Sequence, residues 1–426
     1  MGRNYIFEDI EFYDYINDCV PYFIGFFLLE NLLSIILKKK DLYLFKDSFS
    51  SLSTGLSTII WEKIVPSTFL ASIEFVIVLY IWRYHRLIDI AEDNKIASII
   101  CFLSVDFGYY WFHRLAHEVN YMWATHVTHH SSEKYNLTTA LRQSVFQIYT
   151  SWVFYLPLGL FIPPQMYMFH KQFNTIYQYW IHTKYIGKLG PLEWIINTPS
   201  HHRVHHARNP RYIDRNYAGT LIIWDRMFGT FIEEEEEVFY GLVHPLGSHD
   251  PTWCQIHHWY EMYQQAKQYP AWGDKIRVYL NGPGWHPGTA RLGDVNEIPM
   301  PTKEDIPERL GQPLPALLNS YVFVHFMLIS IASLAVLAIY EHSLGYYKTG
   351  AVMVYLYLSL TCFGAIFDRK RFAMLAELIR LVMFIGCTWE IQSSVVQYMR
   401  LFYFISAGWM IANNISSSTF KTIKKD

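Results

Sequence analysis

The sequence predicts an all-α, polytopic membrane helix bundle with a cytosol-facing, histidine-rich cap that holds two metal ions. Of the 426 residues, 52% are hydrophobic and only 17% are charged, against about 25% in soluble domains. The apolar residues form long runs, several of them close to the roughly 20 residues that a membrane-spanning helix needs. Between these runs, histidines recur at helical spacing. The net charge of −2 gives no indication of a nucleic-acid partner.

Residues 1–95 are expected to form the N-terminal membrane spans. The run 19–37 is long enough to cross a bilayer, and the three lysines that follow it place the N-terminus away from the cytosol. Glu30 within this run is expected to face the bundle interior. Residues 65–82 form a second span. The Ser/Thr-rich segment 46–64 is an interfacial or re-entrant helix, or a further span.

Residues 96–314 are predicted to be the catalytic region. The apolar run 96–112 leads directly into the first histidine motif, and the run 145–169, interrupted by prolines, is expected to form a kinked or hairpin pair. From about residue 183 the chain becomes polar and is read as a cytosolic cap. Its acidic run, residues 233–237, is expected to be a solvated loop.

Residues 315–413 are predicted to form the C-terminal spans, and residues 414–426 a polar tail. Within the spans, Glu377 and Arg380 are three residues apart and can pair on one helix face. The apolar runs are 315–340, 349–367, 371–389 and 393–412. The five cysteines are scattered, with no CxxC pair, so no disulfide framework is expected.

Three histidine motifs dominate the catalytic region. Each spans five residues, and at the overall histidine frequency the fifteen positions would hold fewer than one histidine. They hold eight: His113, His117, His126, His129, His130, His202, His205 and His206. Residues three and four apart share one helix face, and neutral imidazole is the commonest metal ligand. The motifs therefore predict a metal site, and eight ligands divide naturally between two metals.

The identity of the metal stays open at this point. Two closed zinc sites would use four histidines each and would be structural, whereas two irons would keep positions for oxygen, water or a carboxylate. A location at the mouth of a helix bundle, where a lipid tail can be presented, favours iron. His182, between the second and third motifs, is a candidate ninth ligand or a core histidine.

Several other polar residues are candidates for supporting roles. Glu118 follows His117 directly and is a candidate ligand, a hydrogen-bond acceptor for a ligand or a cofactor anchor. Asp106 is expected to orient an imidazole or to make an ordinary contact within its helix. The polar residues proposed to contact a head group or cofactor are Asn136, Arg142 and Gln143. The histidines interpreted as surface residues are His201, His257 and His258.

The motifs HRLAH, HVTHH and HHRVHH, in this order between apolar runs, resemble those of the fatty acid hydroxylase / sterol desaturase superfamily of membrane di-iron oxygenases. The segments SSEKYNLTTALRQS and TPSHHRVHHARNP narrow the resemblance to members that act on ether lipids. This resemblance implies a di-iron centre on the eight motif histidines. It also implies that Glu118 is needed near the metals or a pterin.

The same resemblance implies an oxidoreductase with O2 as oxidant and tetrahydrobiopterin as reductant, in the endoplasmic reticulum membrane. Its substrate would be an ether lipid, a 1-O-alkylglycerol or a lyso-alkyl phospholipid, hydroxylated on the carbon next to the ether oxygen. The products would be a fatty aldehyde and a glycerol derivative. Two alternatives stay open: a sterol or fatty-acyl hydroxylase or desaturase of the same superfamily, and a non-catalytic zinc-binding or transport protein of the membrane.

Overall fold

A computed structural model describes residues 12–37, 45–64, 73–305 and 314–412. Over these residues the chain is helical and forms no named strand, only isolated bridges, which confirms the predicted all-α class. The α-helices are α1 Tyr15–Ile36, α2 Phe45–Ile64, α3 Ile73–His85, α4 Lys95–Glu118, α5 Asn120–Trp123, α6 Val127–His130, α7 Ile148–Ser151, α8 Pro164–Trp180, α9 Pro199–His205, α10 Ile223–Phe228, α11 Pro251–Gln268, α12 Trp272–Leu280, α13 Ala316–Phe367, α14 Ala373–Cys387 and α15 Ser394–Ala412. Short 3-10 turns separate several of them, including Leu137–Leu141 and Leu156–Leu160.

The chain divides into two compact units. The first consists of Met1–Gly247 and Gln255–Gly311, and it contains all three histidine motifs. The second consists of Ser248–Cys254 and Gln312–Asp426, and it contains α13, α14 and α15.

Four segments of the described residues are long and apolar enough to cross a membrane. Two of them, α1 and α4, belong to the first unit. The other two, Ala316–Val336 and Leu344–Phe367, are the halves of α13, which breaks at Gly345 with φ 70° and ψ 164°. The protein is therefore a multi-pass membrane protein. The predicted spans 19–37 and 96–112 correspond to α1 and α4.

Helix α4 is the central element of the first unit. It begins where the Asn94 side chain accepts hydrogen bonds from the backbone N–H groups of Ile96 and Ala97, as a helix-capping asparagine does. It ends because Val119 is extended. Its buried face packs against α8, within a core formed by Val78, Ala97, Cys101, Val105, Tyr155, Ile162, Met166 and Tyr167. This packing turns the last two turns of α4, which carry the first histidine motif, into the protein.

The N-terminal helices support this arrangement. Glu30 of α1 is 4% exposed and accepts hydrogen bonds from the Leu137 backbone N–H and the Thr183 hydroxyl, so it faces the interior as predicted. Helix α2 is not among the candidate spans found in the described residues. Its serine-rich face is buried, and it packs on the Leu137–Leu141 turn.

The run 145–169 is interrupted near its prolines, as expected, and its first part forms short elements instead of a long helix. It forms α7 and two 3-10 turns, and then α8 begins at Pro164. The prolines explain these boundaries, because proline is favoured in the first turn of a helix and disfavoured further inside it. The predicted C-terminal runs are helical, and Glu377 and Arg380 pair as expected. The predicted tail, residues 414–426, lies outside the described residues, as does the segment 65–72 of the second predicted span.

Candidate metal centre

The three histidine motifs converge in the interior of the first unit. The first lies in the last two turns of α4, the second on α6 and the residue before it, and the third on α9 and the residue after it. Every motif histidine is at most 6% exposed. Buried imidazoles need partners, and here the partners are mainly other imidazoles.

The ring nitrogens form two groups, and within each group one nitrogen per residue lies within 4.8 Å of all the others. Group one consists of His113, His117, His126, His130 and His205. Group two consists of His129, His182, His202 and His206. The structure thus brings together all eight predicted ligands and His182, the candidate ninth ligand.

The Nε2 atoms within each group are closely spaced. In group one, Nε2 of His126 lies 3.0 Å from that of His113 and 3.2 Å from that of His130. In group two, Nε2 of His182 lies 3.2 Å from that of His129 and 3.0 Å from that of His202. Two imidazole nitrogens bound about 2.1 Å from one metal ion would be about 3.0–3.4 Å apart.

The opposite ring nitrogen, Nδ1, is held by the protein in most of these residues. Nδ1 of His113 lies 2.7 Å from the Tyr217 carbonyl oxygen, and Nδ1 of His205 lies 3.0 Å from the carbonyl oxygen of Arg215. A carbonyl only accepts hydrogen bonds, so these Nδ1 atoms must carry the proton. Their Nε2 atoms are then unprotonated and free to bind a metal.

Group two provides the clearest test of whether a metal fits. Nδ1 of His129 faces the Arg142 carbonyl at 3.2 Å, and Nδ1 of His182 faces the Gln178 carbonyl at 2.7 Å. Both Nε2 atoms therefore present lone pairs to each other at 3.2 Å. No proton is available to join them, whereas a cation between them satisfies both.

Unpartnered nitrogens in group one point the same way. The Nε2 atoms of His117 and His205 are buried and have no hydrogen-bond partner. A buried polar atom without a partner costs about 1–3 kcal/mol, and a bound metal removes that cost. Both groups therefore fit a metal ion by their donor chemistry.

Burial keeps the imidazoles neutral. Desolvation lowers the pKa of His126 to about 3 and that of His182 to about 4. It also lowers the pKa values of His129, His202 and His206 well below 6.5, and neighbouring imidazoles add to the effect. A neutral imidazole is the metal-binding form, so these side chains need not lose a proton at neutral pH.

Acidification is therefore expected to destabilise the metal-free protein. The folded-state pKa values of these histidines lie below their unfolded value of about 6.5, so the unfolded chain binds more protons as the pH falls. The stabilisation is fully present above about pH 6.5 and is lost towards about pH 4, the pKa of His182. The thermal unfolding midpoint of chelator-treated protein, measured from pH 7.5 to 5, should fall, and a constant midpoint would contradict the assignment.

Glu118 lies beside the metal groups but belongs to neither of them. Its carboxylate accepts hydrogen bonds from Arg114 Nε at 2.8 Å and from Arg291 Nη2 at 3.0 Å. Arg291 also donates to the Glu118 backbone carbonyl. The two guanidinium groups anchor the end of α4, one residue beyond His117.

Of the three polar residues predicted after the second motif, Arg142 and Gln143 lie at the edge of group two. Arg142 accepts from His129 through its carbonyl, and the Gln143 amide nitrogen lies 3.4 Å from Nδ1 of the same ring. Asn136 caps the following 3-10 turn, where its side chain accepts from Thr138. Two of the three residues thus contact a group two histidine directly.

The interpretation of two neighbouring histidines as surface residues was wrong. His201 and His257 are buried, at 2% and 3% exposure, and are not surface residues. Asp106 contacts no imidazole in the hydrogen bonds described for it. Its carboxylate accepts from the backbone N–H groups of Thr220 and Leu221, so it holds the loop that follows the third motif.

Asp225 was not predicted from the sequence as a functional residue. This carboxylate is fully buried and accepts hydrogen bonds from the backbone N–H groups of Tyr217 and Ala218. Burial raises its pKa to about 6. Because the Tyr217 carbonyl accepts from His113, Asp225 helps to set the position of group one. An aspartate in the turn-rich sequence after the third motif was the only available signal.

The acidic run is a loop with three exposed glutamates, as predicted, and its glutamates also have partners within the protein. Arg203, inside the third motif, binds both carboxylate oxygens of Glu234 and donates to the carbonyls of Thr183 and Ile186. Other cations or amides of the described chain face the remaining glutamates of the run. The run therefore ties the third motif to the segment after His182.

Comparison with known proteins identifies the family. Residues 98–230 match the family model for fatty acid hydroxylases. Alkylglycerol monooxygenase from Homo sapiens is 47% identical over 380 residues, which cover 87% of this chain and 82% of the human protein. The chain belongs to the alkylglycerol monooxygenase family. The Xenopus tropicalis alkylglycerol monooxygenase is 44% identical over 94% of this chain and 89% of its own length. None of the solved structures matches the chain significantly.

Membership of the alkylglycerol monooxygenase family makes the chain an oxidoreductase of a metal-dependent, membrane-bound type. The matched hydroxylase segment contains every histidine of groups one and two. It excludes α1, α2 and the whole of the second unit. Most of the residues in these elements lie within the longer similarity, because the Xenopus tropicalis match covers 94% of this chain.

Proposed function

We propose that the protein is a membrane monooxygenase that cleaves the ether bond of alkylglycerols, with two irons, O2 and tetrahydrobiopterin. The substrate carbon next to the ether oxygen gains a hydroxyl group, and the second oxygen atom leaves as water. The hemiacetal then breaks its C–O bond to give a fatty aldehyde and a glycerol derivative. The main observation behind the proposal is the convergence of nine buried histidines in two groups, in a chain similar to alkylglycerol monooxygenases over most of its length.

The number of histidines supports iron over zinc. Structural zinc is almost always four-coordinate, and group one offers five imidazoles. Imidazole suits iron, and octahedral ions accept more than four ligands. When bound, the irons and the pterin would supply oxygen activation and two electrons. The protein would contribute ligands whose Nε2 atoms are already oriented by hydrogen bonds at Nδ1.

Burial defines the protein's second contribution. The histidines of both groups are at most 6% exposed, so the reacting carbon would be shielded from bulk water. The apolar face of the spans suits an alkyl chain, and the polar region after residue 183 suits a glycerol or phosphoglycerol head group. A 1-O-alkylglycerol or a lyso-alkyl phospholipid has both parts.

Glu118 is our candidate for holding the pterin close to group one. Its carboxylate lies one residue from His117, is 8% exposed, and has two guanidinium partners. Asn136, Arg142 and Gln143 were predicted for the same role, and their contact with the pterin stays a prediction. The hydrogen bonds described for Arg142 favour a part in orienting His129.

We further propose that the protein resides in the endoplasmic reticulum with its catalytic region facing the cytosol. Residues 1–95 would form the N-terminal membrane part, 96–314 the catalytic region and 315–413 the C-terminal spans, with 414–426 as a tail. The absence of a disulfide among the described cysteines is compatible with a reducing compartment.

Aldehyde release provides the test. Membranes that contain the protein should release a fatty aldehyde from a 1-O-alkylglycerol when O2 and tetrahydrobiopterin are both present. Omitting either one should abolish release, because each oxygen insertion consumes one O2 and two electrons. Iron analysis of the purified protein should show about two ions per chain, one for each histidine group.

Each contrary result has a distinct meaning. If the protein contains iron, releases no aldehyde and turns over a sterol or acyl lipid with cytochrome b5 as electron donor, the proposed substrate and reductant are wrong. If the protein contains only zinc and consumes no O2, it is not an oxygenase, and a binding or transport role is favoured.

A further inference from the structure

Helix α2 lies outside the hydroxylase segment of residues 98–230, yet it has a buried polar face. The hydroxyls of Ser50, Thr54 and Ser57 bond to carbonyls within the helix, as serine and threonine often do in helices. The Ser51 hydroxyl also donates to a carbonyl within the helix, that of Asp47, but Ser51 and Asp47 in addition bond to a side chain far along the sequence, that of Arg142. The contacts of these two residues show which part of the protein the polar face of α2 packs against.

Asp47 connects α2 to the residues directly after the second histidine motif. One carboxylate oxygen accepts from the Glu133 backbone N–H at 3.0 Å, and the other accepts from the Ser132 hydroxyl at 2.7 Å. The carboxylate also pairs with Arg142 Nη2 at 3.1 Å. The two side chains of this ion pair are 4% and 3% exposed.

Arg142 transmits this contact to group two. Its Nη2 also donates to the Asp47 carbonyl, its Nε donates to Ser51, and its Nη1 donates to Ser131. Its own backbone carbonyl accepts from His129 Nδ1. The guanidinium and this carbonyl belong to one residue, and the carbonyl accepts the hydrogen bond that selects the tautomer and the orientation of the His129 ring.

We propose that Asp47 is a positioning residue for the second metal of this enzyme, acting through Arg142 on His129. The inference rests on the metal centre in the proposed function, and it extends the site to a helix outside the hydroxylase segment. Group one has a separate anchor, because Asp225 reaches His113 through Tyr217. Loss of Asp47 should therefore weaken one of the two metal sites and leave the other intact.

The charge of Asp47, in addition to its shape, is expected to hold Arg142 in place. Removing one partner of a buried ion pair leaves the other charge buried and unpaired, which is strongly destabilising. The Asp47→Asn substitution would keep the size of the side chain and one acceptor oxygen. It would leave Arg142 with an uncompensated charge and force the guanidinium, and with it the adjacent carbonyl, to move.

The test is a titration of the metal-free, full-length protein with Co2+ alone, followed by the absorption of the bound ion. Wild-type protein should bind two ions. Asp47→Asn should bind one of them about 10- to 100-fold more weakly, the usual effect of losing an outer hydrogen-bond partner of a ligand. Ser51→Ala, which removes one hydrogen bond to Arg142, should weaken the same ion by a smaller factor.

Asp89→Asn is the matched control, because it makes the same change at a carboxylate that is 82% exposed. It should bind both ions as the wild type does. Size-exclusion profiles identify folded protein, and Ser51→Ala decides the question if Asp47→Asn does not fold. Unchanged affinities for both ions in the folded variants would overturn the role of Asp47. A wild type that binds no metal would instead overturn the proposed function.

Discussion

Replacing His202 with alanine is expected to abolish aldehyde formation, with a loss well above 100-fold. His202 lies in group two, with its Nε2 3.0 Å from that of His182 and 3.2 Å from that of His206. Losing an outer partner of a ligand already costs about 10- to 100-fold in affinity or activity, so losing the ligand itself should cost more. The measurements are aldehyde release and metal content of the same membrane preparation.

His286→Ala is the matched control, because this histidine is outside both metal groups and its side chain is 43% exposed. It should retain activity and both metals. The sequence did not decide whether His182 is a ligand, so His182→Ala extends the test to this residue. It should lose aldehyde formation as His202→Ala does. Activity retained by His202→Ala and His182→Ala would refute the assignment of group two.

The spacing within each motif predicts part of this grouping. In the second motif, His126 and His130 are four residues apart and share group one. In the third motif, His202 and His206 are four apart and share group two. The intervening histidine of each motif belongs to the opposite group, because it is adjacent to the last histidine of its motif and adjacent residues on a helix point about 100° apart.

The exchange between motifs could not be predicted from spacing. His129 joins the third motif's pair and His205 joins the second motif's pair, which requires α6 and α9 to face each other. That arrangement depends on tertiary packing. The spacing correctly predicts imidazole ligands for two metals but does not say which motif residues share a metal.

The anchoring carboxylates were equally hard to foresee. Asp47 and Arg142 are 95 positions apart, and Asp106 and Thr220 are 114 apart. Local patterns carry no information about such pairs. Helix α2 illustrates the same limit, because its serine-rich composition left an interfacial helix, a re-entrant helix and a span open and did not indicate that its polar face is buried. Long apolar runs predicted membrane-spanning helices more reliably than local patterns predicted these contacts. A spanning helix is recognised from the length and low charge of its own segment.

Breaking the ion pair in the second unit is expected to have the largest effect on stability. Glu377 and Arg380 of α14 are 0% and 1% exposed, and both nitrogens Nε and Nη2 bond to the carboxylate, at 2.7 and 2.6 Å. Arg380 also donates to Tyr355, and Tyr321 donates to Glu377. Glu377→Gln should lower the free energy of unfolding by about 3–5 kcal/mol, measured as a lower midpoint in a thermal size-exclusion assay.

The neutral double variant separates charge from packing. Glu377→Gln combined with Arg380→Met removes both charges, so no unpaired ion is left in the interior, and it should be more stable than either single variant. Glu390→Gln makes the same change at an exposed residue of the same unit and should leave the midpoint unchanged. A double variant as unstable as the sum of the single ones would mean that packing and the tyrosine hydrogen bonds outweigh the charge pair. A double variant more stable than either single one would show that the two charges are coupled within the contact that α14 makes with Tyr321 and Tyr355 of α13.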